Sequence, residues 1–494
     1  MRWLSLFLAF VAAAPVWANP QAAVAAALAD ARTLGPAAQD AGYLDCSTFS
    51  AEFRPKAMQG LAFVINSLSR NPEIVKPVLL PGNVLRVSLS ELGWKRAVWD
   101  KQANLDPYFT VRLVKVEPWK GGVWNDGRHY AAGSFKVQGE FPAAAPWLPK
   151  AEVAELITLT GSPIPVVRAD WWAANAFRQQ GINGKENGFG YYDWLGVKDR
   201  AGFQRLVRLD EKTSLELLLE MRAVVAAGES GVAQHNRQIV RLKSYVGAYW
   251  ETLDTRSSQD ELKGGKLVKA QNAKRHVGRG ELQHDAEEHY AALANGLFGF
   301  LLCDAAGKLQ ALAPEFIGAD DSPLRAGKDH NIHVGLACVR CHVDGLRGID
   351  DHMRKTFTGP AEFETYDAKK HNENKRQYFS NLNAQLAKDR AVYEEALLLC
   401  NGLTPAENAK AVADLWNWYA LRKRTIADLA IEFGVPEKQL RETIVKYADK
   451  RLTPDPLKRL PYELFGLLRN PEDGLAVDYI EERFATLMQI AWSK

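Results

Sequence analysis

The sequence predicts an α+β fold, with a mixed N-terminal region, a middle region built around one short motif, and a mainly helical C-terminal region. Three observations predict it. Apolar residues recur at helical spacing from Met58 to Leu68, and the stretch from Val84 to Leu89 alternates as a half-buried strand does. From Tyr378 to Ile490 the pattern is almost wholly helical. No internal repeat of fixed period runs through the chain.

Each element follows in chain order. Residues 19–40 are Ala-rich and helix-permissive, and read as a poorly anchored lead-in. Met58, Leu61, Ala62, Ile65 and Leu68 form one helical face, which Asn71-Pro72 stops. Leu85, Val87 and Leu89 share one face of a strand. Glu91 to Lys101 resumes a helical pattern, and the region to about 160 gives no clean period. Residues 207–225 read as helix, and Thr255 to Gly280 as an exposed polar loop. Leu297 to Leu302 reads as a strand running into a tight turn at Asp304-Ala305-Ala306-Gly307. The C-terminal helices break at Asn401-Gly402, Gly434, Pro454 and Asn470-Pro471.

The chain of 494 residues allows roughly two to four domains. The division expected is a signal segment at 1–18, an α+β region at 19–230, the motif-bearing region at 231–366 and a helical region at 367–494. Hydrophobic residues at 47% and charged residues at 24% are ordinary for a globular protein. With 62 basic against 59 acidic groups the net charge is +3, which gives no pull toward nucleic acid. No nucleic-acid partner is expected.

The N-terminus reads as an address. Met1 and Arg2 are followed by an apolar stretch from Trp3 to about Ala14, and Val16 and Ala18 are the small residues before a cut that leaves Asn19 first. The alternative is a membrane anchor. The stretch is short for a span and Pro15 follows it, so a cleaved signal is the preferred reading. No Cys follows the cut as a lipid attachment point, and no later stretch is long and apolar enough to span a bilayer. The expectation is a periplasmic or otherwise exported protein without a transmembrane anchor.

Of five cysteines, Cys46, Cys303 and Cys400 stand apart, too few for a disulfide scaffold; Cys303 lies in an apolar run and reads as a small buried hydrophobe. The other two form Cys338-Val339-Arg340-Cys341-His342, the Cys-x-x-Cys-His spacing of covalent haem attachment. Residues three and four apart share a helix face, so two thiols can reach two vinyl groups of one porphyrin while His342 supplies an imidazole to the iron. A chance match in a chain of this composition is on the order of one in a thousand. A zinc site remains an alternative, with His330 and His333 as further ligands; a redox dithiol lacks the βαβ context it needs. Export favours one covalent haem c on Cys338, Cys341 and His342, which makes the middle region haem-bearing.

The second axial ligand is less defined. The candidates are His284, His289, His330, His333, His352 and Met353, and an unfilled position is also open. His284 ranks first and Met353 second. Lys328, Arg340 and Arg347 surround the motif and could neutralise haem propionates, although solvated charges are commoner. Thr425 to Ile444 has the look of a helix-turn-helix, but a plain packed helix pair is the better reading. Trp171-Trp172, Tyr191-Tyr192 and Trp194 read as core packing rather than a ligand platform.

A set of blocks resembles a family of large exported bacterial proteins with a single c-type haem motif and no assigned substrate. They run from Ile65-Asn66-Ser67-Leu68-Ser69 and Leu92-Gly93-Trp94 through Pro165-Val166-Val167-Arg168-Ala169-Asp170-Trp171 and Gly247-Ala248-Tyr249-Trp250. They continue through His284-Asp285, Asn295-Gly296-Leu297 and Asp304-Ala305-Ala306-Gly307 to the motif and Gly345. The chain departs from the family's pattern at Ala286-Glu287-Glu288, Ala294 and Leu346, where Gly-Gly-Glu, Pro and Met are usual. The resemblance implies haem and export, and no reaction.

The function expected is therefore one-electron transfer to an unidentified redox partner protein, an electron carrier rather than a substrate-converting enzyme. The alternative from another class is a haem enzyme or a gas or peroxide sensor with an open distal site; a structural zinc protein is the third reading.

Overall fold

The computed structural model describes residues 20–108, 110–118, 122–123, 129–130, 135–144, 149–178, 189–216, 221–225, 237–254, 284, 286–313, 319, 332–351, 381–448, 462–470, 473–477, 479–481, 484, 487 and 491. Its strands, in chain order, are β1 (Ala41–Asp45), β2 (Val78–Leu80), β3 (Val84–Ser88), β4 (Thr110–Pro118), β5 (Gly122–Val123), β6 (His129–Tyr130) and β7 (Phe135–Ala144). They continue with β8 (Val166–Arg168), β9 (Met221–Val225), β10 (Arg237–Lys243), β11 (Ala248–Asp254), β12 (Ala286–Ala292) and β13 (Phe298–Asp304). Helices make up much of the rest, so the fold is α+β, as the sequence predicts.

Among the described residues two larger sheets stand beside two two-stranded ones, β4-β7 and β5-β6. One of the larger sheets has the order β2-β3-β1-β8, with β1 antiparallel to β3 and parallel to β8. Gly42 of β1 has no side chain because the Trp99 indole lies where one would project: a Cβ there would sit 2.8 Å from the ring. Trp99 belongs to a buried cluster with Trp94, Trp172 and Trp194, in which the Trp94 and Trp194 centroids are 4.4 Å apart. The aromatic residues 171, 172, 191, 192 and 194 are buried, as core packing requires.

The second sheet is an antiparallel meander, β9-β10-β11-β12-β13. Its central strand β11 is buried at every position, yet carries Glu251, Thr252 and Asp254. A strand covered on both faces ordinarily reads as an apolar run. Charged residues inside one must find partners, and these supply the site chemistry below. At the β13 edge, the Tyr191 hydroxyl accepts from Phe300 N (2.8 Å) and the Tyr192 hydroxyl from Leu302 N (3.0 Å), which covers backbone donors left open by the sheet.

The C-terminal helices pack against the N-terminal region. The Pro405–Ala420 helix lies on Arg54–Asn66, where Gly60 faces the Ala411 carbonyl and Leu415. Trp416 Nε1 donates to Ala173 O at 3.1 Å. Thr404 with Glu407, and Thr425 with Asp428, form capping boxes that start the Pro405–Ala420 and Ile426–Glu432 helices. Leu429, Leu440 and Ile444 are buried, so Thr425 to Ile444 is a helix pair packed into the core.

Three sequence expectations need correction. Residues 20–34 form a helix, Pro20–Leu34, that is anchored: Ala23, Val24, Ala27, Leu28 and Ala31 are buried, and it packs on the Lys150–Thr160 helix. Small side chains at helical spacing allow that close approach. Residues 207–225 are not one helix, but a short helix Glu211–Glu216 followed by β9, whose pairing with β10 outweighs local helix propensity. The helix expected from Glu91 begins at Arg96 and ends at Ala103. The loop expected from Thr255 to Gly280 and the signal segment lie outside the described residues. Among the described residues, no helix is long and apolar enough to cross a membrane.

Candidate functional site

The alternation of the meander sorts its side chains into two chemically distinct faces. On one stand Arg237 and Ile239 of β10, Thr252 of β11, Glu288 and Tyr290 of β12 and Phe300 of β13; these border a cavity of about 1020 Å³, counting the solvent at its mouth. The opposite wall is the Leu336–His342 helix, with Ala337, Cys338, Cys341 and His342, followed by Leu346, Arg347 and Ile349. Leu386 of the Leu382–Asn401 helix completes the lining. Its wall is mostly apolar, as in ligand-binding pockets.

The motif helix is held at both ends. Gly335, before its first residue, has φ +79°, and a Cβ there would meet the Phe177 carbonyl oxygen at 2.3 Å and the Tyr191 ring. After the helix, the Val343 carbonyl accepts from the Tyr393 hydroxyl at 2.6 Å and from Asn408 Nδ2 at 3.3 Å. The Ile349 N–H is received by Asn383 Oδ1 at 3.1 Å. One helical turn thus puts Cys338, Cys341 and His342 on the cavity wall, as their spacing predicts.

The His342 imidazole packs nearly parallel to two sheet residues that are themselves cross-strand partners, Tyr290 (centroids 5.4 Å apart, 23°) and Phe300 (5.7 Å, 27°). Burial first, and then the Arg347 guanidinium, push its pKa down to about 4. It is therefore neutral at neutral pH, the form that offers a lone pair to a metal. Its Nδ1 is buried without a hydrogen-bond partner. Burial, reinforced by the Glu288 carboxylate, pushes the Cys338 thiol up to about 12. None of the five cysteines is in a disulfide.

The charged end of the cavity is organised around Arg237. Its guanidinium forks onto Asp254, both contacts at 2.7 Å, and reaches Glu288 Oε2 at 2.6 Å. That charge is spent on two carboxylates. Arg347, exposed at the rim, is the lining cation suited to an anionic group on a ligand. Arg340 is not among the lining residues, and Lys328 lies outside the described residues.

The other candidate ligands fall elsewhere. His284, ranked first as the second axial ligand, is brought to Glu287 instead: its Nε2 lies 2.7 Å from Glu287 Oε1, and it is not among the cavity-lining residues. Glu287 and His289 alternate with Glu288 and Tyr290 along β12, so their side chains belong to the opposite face of the sheet. His289 borders the cavity, but its ring nitrogens meet Tyr249 Oη (2.9 Å), Glu287 Oε2 (3.0 Å) and Cys303 Sγ (3.3 Å). His333 precedes the motif helix, in a bridge to Leu312, and is not in the lining. Met353, His330 and His352 lie outside the described residues.

The sequence reading missed this second cluster. Cys303 is buried in the hydrophobic core, as expected of a small hydrophobe, and its Sγ also lies 3.1 Å from Glu287 Oε2. The signal was present in the alternation Glu287-Glu288-His289-Tyr290 inside an otherwise apolar strand pair. Compared with known proteins, the chain matches no family model, no curated protein and no solved structure.

The residues at the cavity fit a haem by the chemistry of the donor set: two thiols and a neutral imidazole on one helix face, a buried imidazole nitrogen without a partner, and an apolar cavity against them.

Proposed function

We propose that the chain is an exported c-type haem protein that carries one covalent haem and passes single electrons to and from a partner protein. The observation that carries the reading is that Cys338, Cys341 and His342 share one face of a short helix at the wall of a largely apolar cavity. When bound, the haem supplies a ferric–ferrous couple. The protein residues do the rest. Cys338 and Cys341 hold the porphyrin by thioether bonds, and His342 ligates the iron. Tyr290 and Phe300 fix the imidazole plane, which sets ligand orientation. Ile332, Leu346 and Ile349 keep the cavity dry, and low polarity around a metal tunes its potential. Arg347 offers its charge to propionates.

The reading is tested by visible spectra of the full chain, matured with haem-attachment machinery, with and without reductant and carbon monoxide. An electron carrier is expected to show a low-spin spectrum that carbon monoxide leaves unchanged. Ready binding of carbon monoxide by the reduced protein would turn the reading to a gas- or peroxide-binding protein.

A further inference from the structure

The face of the meander opposite the cavity buries three potential metal donors in one triangle. Glu287 Oε2, His289 Nε2 and Cys303 Sγ are separated by 3.0 Å (Glu287 to His289), 3.3 Å (His289 to Cys303) and 3.1 Å (Glu287 to Cys303). All three residues are at most 1% exposed. Such edges lie a few tenths of an ångström inside the ~3.3–3.8 Å edges of a tetrahedron around an ion with bonds of about 2.0–2.3 Å, the range for zinc with carboxylate, imidazole and thiolate, so a small outward shift of the three donors opens the face to an ion. The three come together because Glu287 and Cys303 are cross-strand partners and His289 is two residues along β12.

The surroundings let the His289 ring present its Nε2 lone pair once an ion enters the triangle. His289 Nδ1 faces Tyr249 Oη at 2.9 Å and Glu251 Oε2 at 3.6 Å. Without an ion, the Glu287 carboxylate 3.0 Å from Nε2 holds the ring proton there; with an ion at the triangle, Tyr249 Oη can accept the proton at Nδ1, and the Nε2 lone pair turns to the metal. A carboxylate or hydroxyl behind a ligating imidazole is the usual outer partner at metal centres. The Cys303 thiol proton faces Glu287 Oε2, with Sγ at 3.1 Å. A cation would replace it, releasing the thiol proton as the metal–sulfur bond forms. Arg200, whose Nη1 is 2.7 Å from both Glu287 oxygens, orients the carboxylate. His284 Nε2, on Glu287 Oε1, is a further donor beside the triangle.

We propose that Glu287, His289 and Cys303 bind a divalent metal ion of the zinc class, at a buried site on the face of the sheet opposite the haem cavity. The site is buried, so the ion is taken up as the chain folds rather than exchanged afterwards.

The test uses the full chain, haem-matured and produced in zinc-supplemented medium, measured for zinc content and by X-ray absorption at the zinc edge. The expected result is about one zinc per chain, with a single sulfur neighbour at about 2.3 Å and nitrogen or oxygen neighbours at about 2.0–2.2 Å. Cys303→Ala and His289→Gln are each expected to lower zinc content roughly tenfold or more while keeping the haem stain. Absence of zinc, or zinc without a sulfur neighbour, overturns the proposal and leaves the haem reading untouched; this holds even if a variant misfolds, because it is read on the unmodified chain. Zinc with two sulfur neighbours, kept in Cys303→Ala and lost in Cys338→Ala with Cys341→Ala, overturns both.

Discussion

The His342 imidazole lies 5.4 Å from the Tyr290 ring and is tilted from it by only 23°. Tyr290 is in turn stacked on Trp250, at 6.1 Å and 10°, so the imidazole plane is referred through two rings to the centre of the sheet. Tyr290→Ala is expected to cost about 1–3 kcal/mol in urea unfolding and to broaden the ferric electron-paramagnetic signal. An unchanged signal width would mean that the stack does not fix the imidazole.

Gly335 controls how the motif helix begins. Its φ of +79° and the 2.3 Å approach to the Phe177 carbonyl leave no place for a Cβ. Gly335→Ala is expected to destabilise the protein by about 2 kcal/mol or more and to lower the yield of haem-stained chain. Equal stability and yield in the two proteins, by urea unfolding and haem stain, would show that the helix start can shift without loss.

Asp106 gives the fold a pH dependence. Burial raises its pKa from 3.8 to about 7, against the opposing Tyr108 backbone N–H and Arg168. The folded state then holds a proton that the unfolded state has lost. The stability this group contributes is present below about pH 4 and is lost as pH rises through about 7. Asp106→Asn is expected to flatten the stability profile across that window, by up to about 1.4 kcal/mol per pH unit. Parallel urea-unfolding profiles for the two proteins would contradict it.

The Thr425 to Ile444 helix pair is structural. Leu429 is fully buried, and Leu429→Ala is expected to cost about 2–5 kcal/mol. The full chain is expected to show no salt-sensitive, sequence-selective DNA binding in a mobility-shift assay. Such binding would reverse the assignment of this pair.

What the sequence discloses depends on how locally each feature is specified. Cys338, Cys341 and His342 are adjacent on one helical turn, so their shared face follows from spacing alone. The C-terminal helices are marked by Thr404, Thr425 and Gly402, residues that act within a turn of where they stand. The cavity's far wall depends on the register that sets Tyr290 opposite Phe300, and the buried cluster depends on the register that sets Glu287 opposite Cys303. Strand pairing of that kind is nonlocal, so neither the wall nor the cluster follows from spacing along the chain. Residues 221–225 mislead for the same reason, because pairing with β10 determines their conformation.

Covalent haem on Cys338 and Cys341 is read from the intact mass of the denatured chain. Produced by export through haem-attachment machinery, the unmodified protein is predicted to carry the added mass of one haem and to stain for haem on a denaturing gel. Cys338→Ala with Cys341→Ala is predicted to lose both. An unmodified chain that shows neither the added mass nor the stain, and holds zinc at Cys338 and Cys341 instead, would make the motif a zinc site and not a haem attachment site.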